Sequence, residues 1–508
     1  MGSDNATPAK RLFTGRREIV CSADEVTAGN VVELVERAEL LHSLNAADCA
    51  YLKGYFLGVQ PVLGREKDVR PTINNRVVEN RAYQIAKDRA DALVGEPIAY
   101  SVHGTGGGEH GTEGGTDELS HKVQVLNLAC DAADKHSHDI ELAQWLCVCG
   151  VGYRIVLPTP DVSDGGDRPF LVATLNPCHA YVVKRNDVFR EPLFAVTHTK
   201  SEADDEVTTT VYTADAVFTL RGGRVEGEAP NPVGAVPVVE YAANPERMGV
   251  FEAVLSLFDA INEVESNRVD GVAQFIQSLT VFENVDFDDD EWDDMCAKGA
   301  VQVTSTSDVA ARVYSIATQI DQNQTQTLVD SMYKTALSIC GMPFNVGGSG
   351  STSDTGAAVT MRDGWSNSEN RCKETEAMWK RAERRFLSLA LSILDASCDL
   401  GLSCSDVEIK FTRRNYEALQ SKAQVFATLA GTDRLHLRTV IEQCGLFSDP
   451  ETVYDLALAW REEQARRARE AFGADEADTG GDAGEDNGET AGGVTAQGQG
   501  DATPVNKA

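Results

Sequence analysis

An α+β fold is what this sequence predicts, on three observations. Between residues 150 and 245 a series of short runs alternates apolar and polar residues with the period of a strand. On either side of that block, longer segments repeat apolar residues every three to four positions, as helices do. After Asn244-Pro245, finally, two amphipathic helices bracket a short β-prone, acidic insert.

With 508 residues and 42% apolar content the chain is long enough for two to four domains with real cores. Its 46 basic and 79 acidic residues leave a net charge of -33. That balance argues against an open surface that grips nucleic-acid phosphates, though not against a surface that DNA passes without sticking. The 12 cysteines are scattered apart from Cys147-Val-Cys149, with no CxxC pair, and MGSDNATPAKRLF is no secretory signal, so free thiols in a reducing cytoplasm are expected. No apolar run reaches the length of a membrane span, and MGSDNA lacks the hydroxyl residue a myristoylation site wants.

Residues 1–65 read as a segment of short helices, with helical spacing at Val32, Val35, Leu40, Leu41 and Leu44. A turn at Pro71, an amphipathic helix closed by Gly95 and a strand then open an α/β region. The loop 104–117 contains Gly106-x-Gly108-x-x-Gly111, a dinucleotide fingerprint on paper. No apolar helix start stands directly behind it, so it reads as a loop, and no GxxxxGK[ST] occurs anywhere. One helix is expected from Ser120 to Cys149; its His136-x-His138 lacks a third metal ligand at useful spacing and reads as solvated surface. FLVATLNP, AYVVKRND, LFAVTHTK, VTTTVYTA, AVFTLRGG and VPVVEYAANP follow as a mostly antiparallel sheet.

The helix from Gly249 to about Ser278 carries an apolar stripe of Phe251, Val254, Leu255, Phe258, Ile261, Val264, Val269, Val272, Phe275 and Ile276. Asp259, Asn262, Glu263, Ser266, Asn267 and Asp270 fall between them, and the rod would be about 45 Å long. The insert 279–321 offers strands at LTVFENV, AVQVTS and ARVYSIA around the acidic run Asp286 to Asp294. Asp286, Asp288 and Asp290 alternate as in a calcium loop, but Glu291 stands where glycine is needed and Ala297 where glutamate is, which favours a solvated or docking surface. A second helix from Asn323 to Gly341, with Leu328, Met332, Ala336, Ile339 and Cys340 on one side, stops at Gly341-Met342-Pro343. FNVGGSGSTSDTG is too rich in glycine and serine for one conformation. A long helix resumes near Ser353 or Asp354 with Arg362, Arg371, Lys380, Arg381, Arg384 and Arg385, a charged face that reads as solvated or inter-subunit. VEIKFTRRN is a strand, NYEALQSKAQVFATLAG a helix, and a helical hairpin turning at Leu446 to Pro450 ends the ordered chain. The tail from Gly473 holds eight acids, one lysine and no aromatic residue, and should be disordered.

Together these parts resemble the portal proteins of tailed bacteriophages, over most of residues 30–470. The residues that carry the resemblance are Asn74-Asn75-Arg76-Val77-Val78, Gly95-Glu96-Pro97-Ile98, Cys149-Gly150-Val151-Gly152-Tyr153, Asn244-Pro245, Phe258-Asp259-Ala260-Ile261-Asn262, Ser353-Asp354-Thr355-Gly356-Ala357-Ala358-Val359 and Ile409-Lys410-Phe411 with Arg414-Asn415. Their order and spacing, rather than any one motif, make the case. The loop 104–117 and the insert 279–321 depart from the pattern.

The resemblance implies a portal-type fold: an N-terminal helical segment (1–65), a wing (66–248, continuing at 356–412), stem helices (249–278 and 322–343), a clip (279–321), a tunnel loop (344–355), a helical crown (413–472) and the acidic tail (473–508). It implies a homo-oligomeric ring of twelve subunits at one capsid vertex of the virion, assembled in the host cytoplasm. Double-stranded DNA would pass through it without sequence-specific binding, the terminase large subunit would pump, and capsid, scaffolding and head-completion proteins would dock. No catalysis, cofactor, metal or membrane is implied.

A hole about 40 Å across at the helix axes would give each of about twelve copies near 10 Å of circumference, one helix width. The expected channel-loop residues are Asn345, Gly347, Gly348, Ser349, Gly350, Ser351, Thr352 and Ser353; Lys334 is the channel-lining candidate, and Asp288, Asp289, Asp290, Glu291 and Trp292 are the docking candidates. The competing readings are a nucleotide-binding enzyme built on the glycine-rich loop 104–115, and another ring or scaffold protein of the capsid.

Overall fold

The computed structural model describes residues 15–68, 71–103, 113–160, 168–200, 206–276, 279–284, 310, 312–316, 322–343, 365–411, 419–431, 435–444 and 450–477. It is a mixed α and β protein in two compact units that divide after Glu417.

The first unit opens with strand β1 (Ile19–Cys21) and helix α1 (Val31–Phe56). The expected short helices are thus one 26-residue helix behind a strand that three residues gave too little pattern to reveal. On α1 the buried face is Val31, Leu34, Val35, Ala38, Cys49 and Leu52, while Leu40, Leu41 and Leu44 of the expected stripe are exposed. Helix α2 (Arg81–Val94) and strand β2 (Ile98–Val102) follow, as the amphipathic spacing requires. Helix α3 (Glu113–Ala132) starts inside the glycine-rich segment, which had read as loop through 117. The single helix expected to Cys149 is two, because Asp134 takes a left-handed φ of 54° before α4 (Lys135–Cys149).

Strands β3 (Val151–Pro158), β4 (Phe170–Leu175), β5 (Ala180–Arg185), β6 (Pro192–Lys200), β7 (Val207–Tyr212), β8 (Ala216–Arg221), β9 (Arg224–Pro230) and β10 (Val238–Ala242) make two sheets. One has the order β1-β5-β6-β7-β8-β9, antiparallel except for the parallel β1·β5 pair; the other is β10-β3-β4. Strand β9 had no apolar alternation to announce it and sits at the sheet edge.

Gly150 explains one of the motifs. It ends α4 at φ 77°, and a Cβ there would lie 2.3 Å from the Arg247 carbonyl oxygen, so only glycine lets α4 close against the turn before Gly249.

Helix α5 (Leu255–Ile276), entered through a short 3-10 turn, leads to strand β11 (Leu279–Glu283), which pairs antiparallel with β12 (Arg312–Ile316). Helix α6 (Gln322–Cys340) returns, and α7 (Trp365–Cys398) runs across β3, β4 and β10. Strand β13 (Val407–Phe411) then pairs with β2. The start expected for α7 near Ser353 or Asp354, and the strand AVQVTS, lie outside the described residues.

The second unit is three helices, α8 (Leu419–Ala430), α9 (Leu437–Cys444) and α10 (Pro450–Ala477), with Val440, Ile441 and Cys444 buried on α9. The tail was expected to begin at Gly473, but α10 continues through Ala477, its propensity carried by alanine and glutamate. Residues 478–508 lie outside the described set.

Candidate functional site

Helices α5 and α6 form an antiparallel pair. Arg268 on α5 donates to Gln322 (3.1 Å) and Gln326 (2.9 Å) at the start of α6, while the other end of α6 packs on the turn before α5. At 22 residues α5 is about 33 Å long, shorter than the 45 Å expected, because Phe251 and Val254 belong to the turn rather than the rod.

Its stripe has two fates. Phe251, Val254, Leu255, Phe258 and Ile261 are buried within the chain, whereas Val269 (40% exposed) and Val272 (52%) are not. On α6 the buried side is Val329, Ala336, Leu337 and Cys340, with Met332 packed against it. Leu328 and Ile339, assigned to that same side from sequence, face outward at 50% and 49% exposure. Gly341 closes α6 with φ 66°, and Met342 N–H donates back to Leu337 O at 2.8 Å.

The polar side of α5 meets a partner that sequence reasoning missed. Asn262, Ser266 and Asp270, each four residues from the next, are all buried. They accept from the backbone N–H groups of Glu79 (2.8 Å), Val77 (3.0 Å) and Asn75 (2.8 Å), every second residue of an extended strap. The two periods match because one helical turn of 5.4 Å is close to two extended residues. Asp270 also accepts from Asn75 Nδ2 (2.9 Å), Arg65 (2.9 Å) and Lys67 (2.8 Å). Burial opposes its charge, but the hydrogen bonds from Lys67, Asn75 and Arg65 outweigh it and hold the carboxyl well below the usual carboxylate range. The motif Asn74 to Val78 and the helix after Phe258 are thereby one feature.

A second buried cluster fixes α7. Glu383 takes hydrogen bonds from Tyr241 (2.8 Å) and Trp379 (3.1 Å), and from Tyr100; it pairs with Lys135 (2.8 Å) and Arg154 (3.5 Å). Asp139 completes the group against Lys135 (2.7 Å) and Arg154. Burial raises the Glu383 pKa, yet the Lys135 and Arg154 charges bring it down to about 2. All four ionic side chains are buried, so α4, β3, β10, β2 and α7 are tied at one point.

Of the residues singled out from sequence, Lys334 is exposed on α6. Asn345, Gly347, Gly348, Ser349, Gly350, Ser351, Thr352 and Ser353 lie outside the described residues, as do Asp288, Asp289, Asp290, Glu291, Trp292, Gly106, Gly108, Gly111 and Arg362. The β11·β12 ladder brings Glu283 opposite Arg312, so the segment carrying the acidic run leaves and rejoins at one base. On α7, Arg371 pairs with Glu374 (3.2 Å), Lys380 with Glu376 (2.8 Å) and Arg385 with Glu191 (2.8 Å), while Arg381 and Arg384 are exposed. His138 lies 3.4 Å from Glu141, and among the described residues no three His, Cys, Asp or Glu side chains are grouped to hold a metal ion. Nor is any described helix long and apolar enough to cross a membrane.

The profile of a family described as phage portal protein, SPP1 Gp6-like, matches residues 42–470. No curated protein matches the chain in sequence. Two similar solved structures come from the virion of a native gene transfer agent particle (12% identity, TM-score 0.44) and from the neck of an empty gene transfer agent particle computed with C6 symmetry (12% identity, TM-score 0.41). Each similarity covers 79% of this chain and 94% of the other.

Proposed function

The chain belongs to the phage portal protein family of the SPP1 Gp6-like type, and on that premise we propose that it builds a closed ring at one capsid vertex of a virion. DNA passes through the ring during packaging and ejection, and the chain carries no catalytic chemistry. The α5–α6 pair is the stem, residues 279–321 the clip that docks the terminase large subunit and the head-completion proteins, and residues 344–355 the tunnel loop. Residues 66–248 and 356–412 form the wing and 413–472 the crown.

The observation that carries this reading is the apolar surface left outside the α5–α6 pair. Val269, Val272, Leu328 and Ile339 are 40–52% exposed, although the same helices bury Leu255, Phe258 and Ile261 on α5 and Val329, Ala336, Leu337 and Cys340 on α6. A neighbouring copy on either flank covers them, as repeated head-to-tail contacts in a closed ring do. The net charge of -33 suits a wall that phosphates slide past, with Lys334 as a basic position on the stem. Electron micrographs of the purified protein should show end-on rings with a central hole. A strictly monomeric particle by native mass spectrometry at micromolar concentration would refute the proposal.

A further inference from the structure

Three thiols gather on one turn of α1. Cys49 and Cys149, 100 residues apart, are both fully buried at 0% exposure. The Cys149 sulfur, on the last residue of α4, lies 3.7 Å from the Cys49 carbonyl oxygen, and the two thiols are hydrogen-bonded to each other. Cys178, half-buried in the turn between β4 and β5, puts its sulfur 3.7 Å from the Ala46 carbonyl oxygen, three residues back on the same helix face. Cys147 is not part of this group. Two residues before Cys149, it falls on another side of α4 near Arg89 and Cys372, so the Cys147-Val-Cys149 spacing of the sequence is not the pair that meets.

The two buried sulfurs are unequal. The hydrogen bond from Cys149, with help from the neighbouring Arg16 guanidinium, lowers the Cys49 pKa against the effect of burial, so Cys49 is the better thiolate. Burial and the Cys49 sulfur hold the Cys149 pKa well above the ordinary thiol value, so Cys149 keeps its proton. One activated thiol beside one protonated thiol is the arrangement of an attacking and a resolving cysteine. The same spot is a junction of the fold. Arg16 donates to Cys149 O (3.3 Å) and pairs with the buried Glu252, which accepts the Gly249 N–H (2.9 Å), and Val250 N–H donates to Cys147 O (2.8 Å). The end of α4, α1 and the turn into α5 therefore meet at Cys149.

We propose that Cys49 and Cys149 form a redox pair, closed to a disulfide by a peroxide, and that the disulfide staples α1 to the end of α4 beside the turn into α5. The Cys49 thiolate attacks one peroxide oxygen; the O–O bond breaks, the sulfur is oxidised to a sulfenic acid, and the second oxygen leaves as hydroxide and takes up the proton Cys49 had released. The Cys149 sulfur then attacks the Cys49 sulfur. The S–O bond breaks, its oxygen leaves as water with the Cys149 proton, and the S–S bond forms, so two thiols and one hydrogen peroxide give one disulfide and two waters. Hydrogen peroxide is hardly larger than water, which suits a fully buried pair. Thiols stay reduced in a reducing cytoplasm and oxidise beyond it, so the staple sets when the protein leaves the cell interior. The pair lies within one chain and is independent of any ring.

The test adds hydrogen peroxide to the native full chain and blocks the remaining thiols by alkylation before unfolding, digestion and mass mapping. A peptide linked through Cys49 and Cys149 should appear. The melting midpoint should rise by about 3 °C or more and fall back on adding dithiothreitol. In Cys149→Ala, which has no resolving thiol, dimedone should label Cys49 as the trapped sulfenic acid and the rise should be absent. Should that variant not fold, the wild-type peptide map still decides. The proposal is overturned if Cys49 and Cys149 are recovered as alkylated thiols, or if either is linked to Cys178 or Cys147 instead. A linked protein that melts no higher than the reduced one overturns the staple.

Discussion

Replacing Asp270 with alanine removes the acceptor at the end of the strap on α5. The carboxylate receives two charge-assisted bonds, from Arg65 and Lys67, and two from Asn75, all between 2.8 and 2.9 Å. Arg65 keeps Glu263 (3.1 Å), Asn267 (2.6 Å) and the Asn75 carbonyl (3.0 Å), so the change falls on Lys67, which loses its carboxylate, and on the Asn75 backbone N–H, which loses its acceptor. Breaking a buried pair on one side costs about 3–5 kcal/mol. Urea unfolding at neutral pH should show a loss of that order, and hydrogen exchange should quicken first at Asn75 and then at Val77 and Glu79. The pH dependence has a definite sign. A carboxyl held below its unfolded value stabilises the fold above that value, about 3.9, and loses the contribution as pH falls toward the folded value. The gap between wild type and Asp270→Ala should therefore be constant from about pH 5 to 8 and shrink below pH 4. A loss under about 1 kcal/mol, or unchanged exchange at Asn75, would refute the strap as the element that holds α5.

Glu383→Gln keeps the shape but leaves Lys135 and Arg154 with one buried carboxylate, Asp139, between them. A destabilisation of about 3 kcal/mol or more by chemical denaturation is expected, and its disappearance near pH 2 follows from the folded-state pKa of about 2. Lys334→Glu touches an exposed side chain, so its melting curve should match wild type within about 0.5 kcal/mol and its rings should form. DNA packaging or retention should change, and normal packaging would remove Lys334 from the channel wall.

Periodicity made α2, α5, α6 and most strands legible, because their patterns are local and the caps at Gly95, Gly150 and Gly341 mark ends that need a special backbone or close approach. What was hidden depends on distance along the chain. Asn75 and Asp270 are 195 residues apart, and Tyr100 and Glu383 are 283 apart, so no window of sequence contains either pairing. One signal was available: Asn262, Ser266 and Asp270 stand at helical spacing on a helix whose other residues alternate between core and solvent. A polar stripe that regular, on a face a strap could cover, predicts backbone partners rather than water. Strand β1 and the break at Asp134 gave no such sign, since three residues carry no period and a single left-handed residue carries no composition. The outward turn of Leu328 and Ile339 was unreadable for a different reason. Apolar residues on an outward face look in sequence like residues facing the chain's own core.

The two polar clusters also constrain how the pair α5–α6 can move. Between Asp270 and Glu383 the chain leaves through α5, turns at β11 and β12, returns through α6 and crosses residues 344–364 before α7 begins. Apolar packing alone would let α5 slide along its axis at modest cost, because one methyl replaces another. Hydrogen bonds from Asn75, Val77 and Glu79 to acceptors one helical turn apart permit only whole-turn displacements, and any smaller shift strands three half-buried donors and their buried acceptors at once. Glu383, held by two cations and three donors, does the same for α7. That arrangement fixes α5 against the strap and α7 against β2, β3, β10 and α4, on both sides of the excursion.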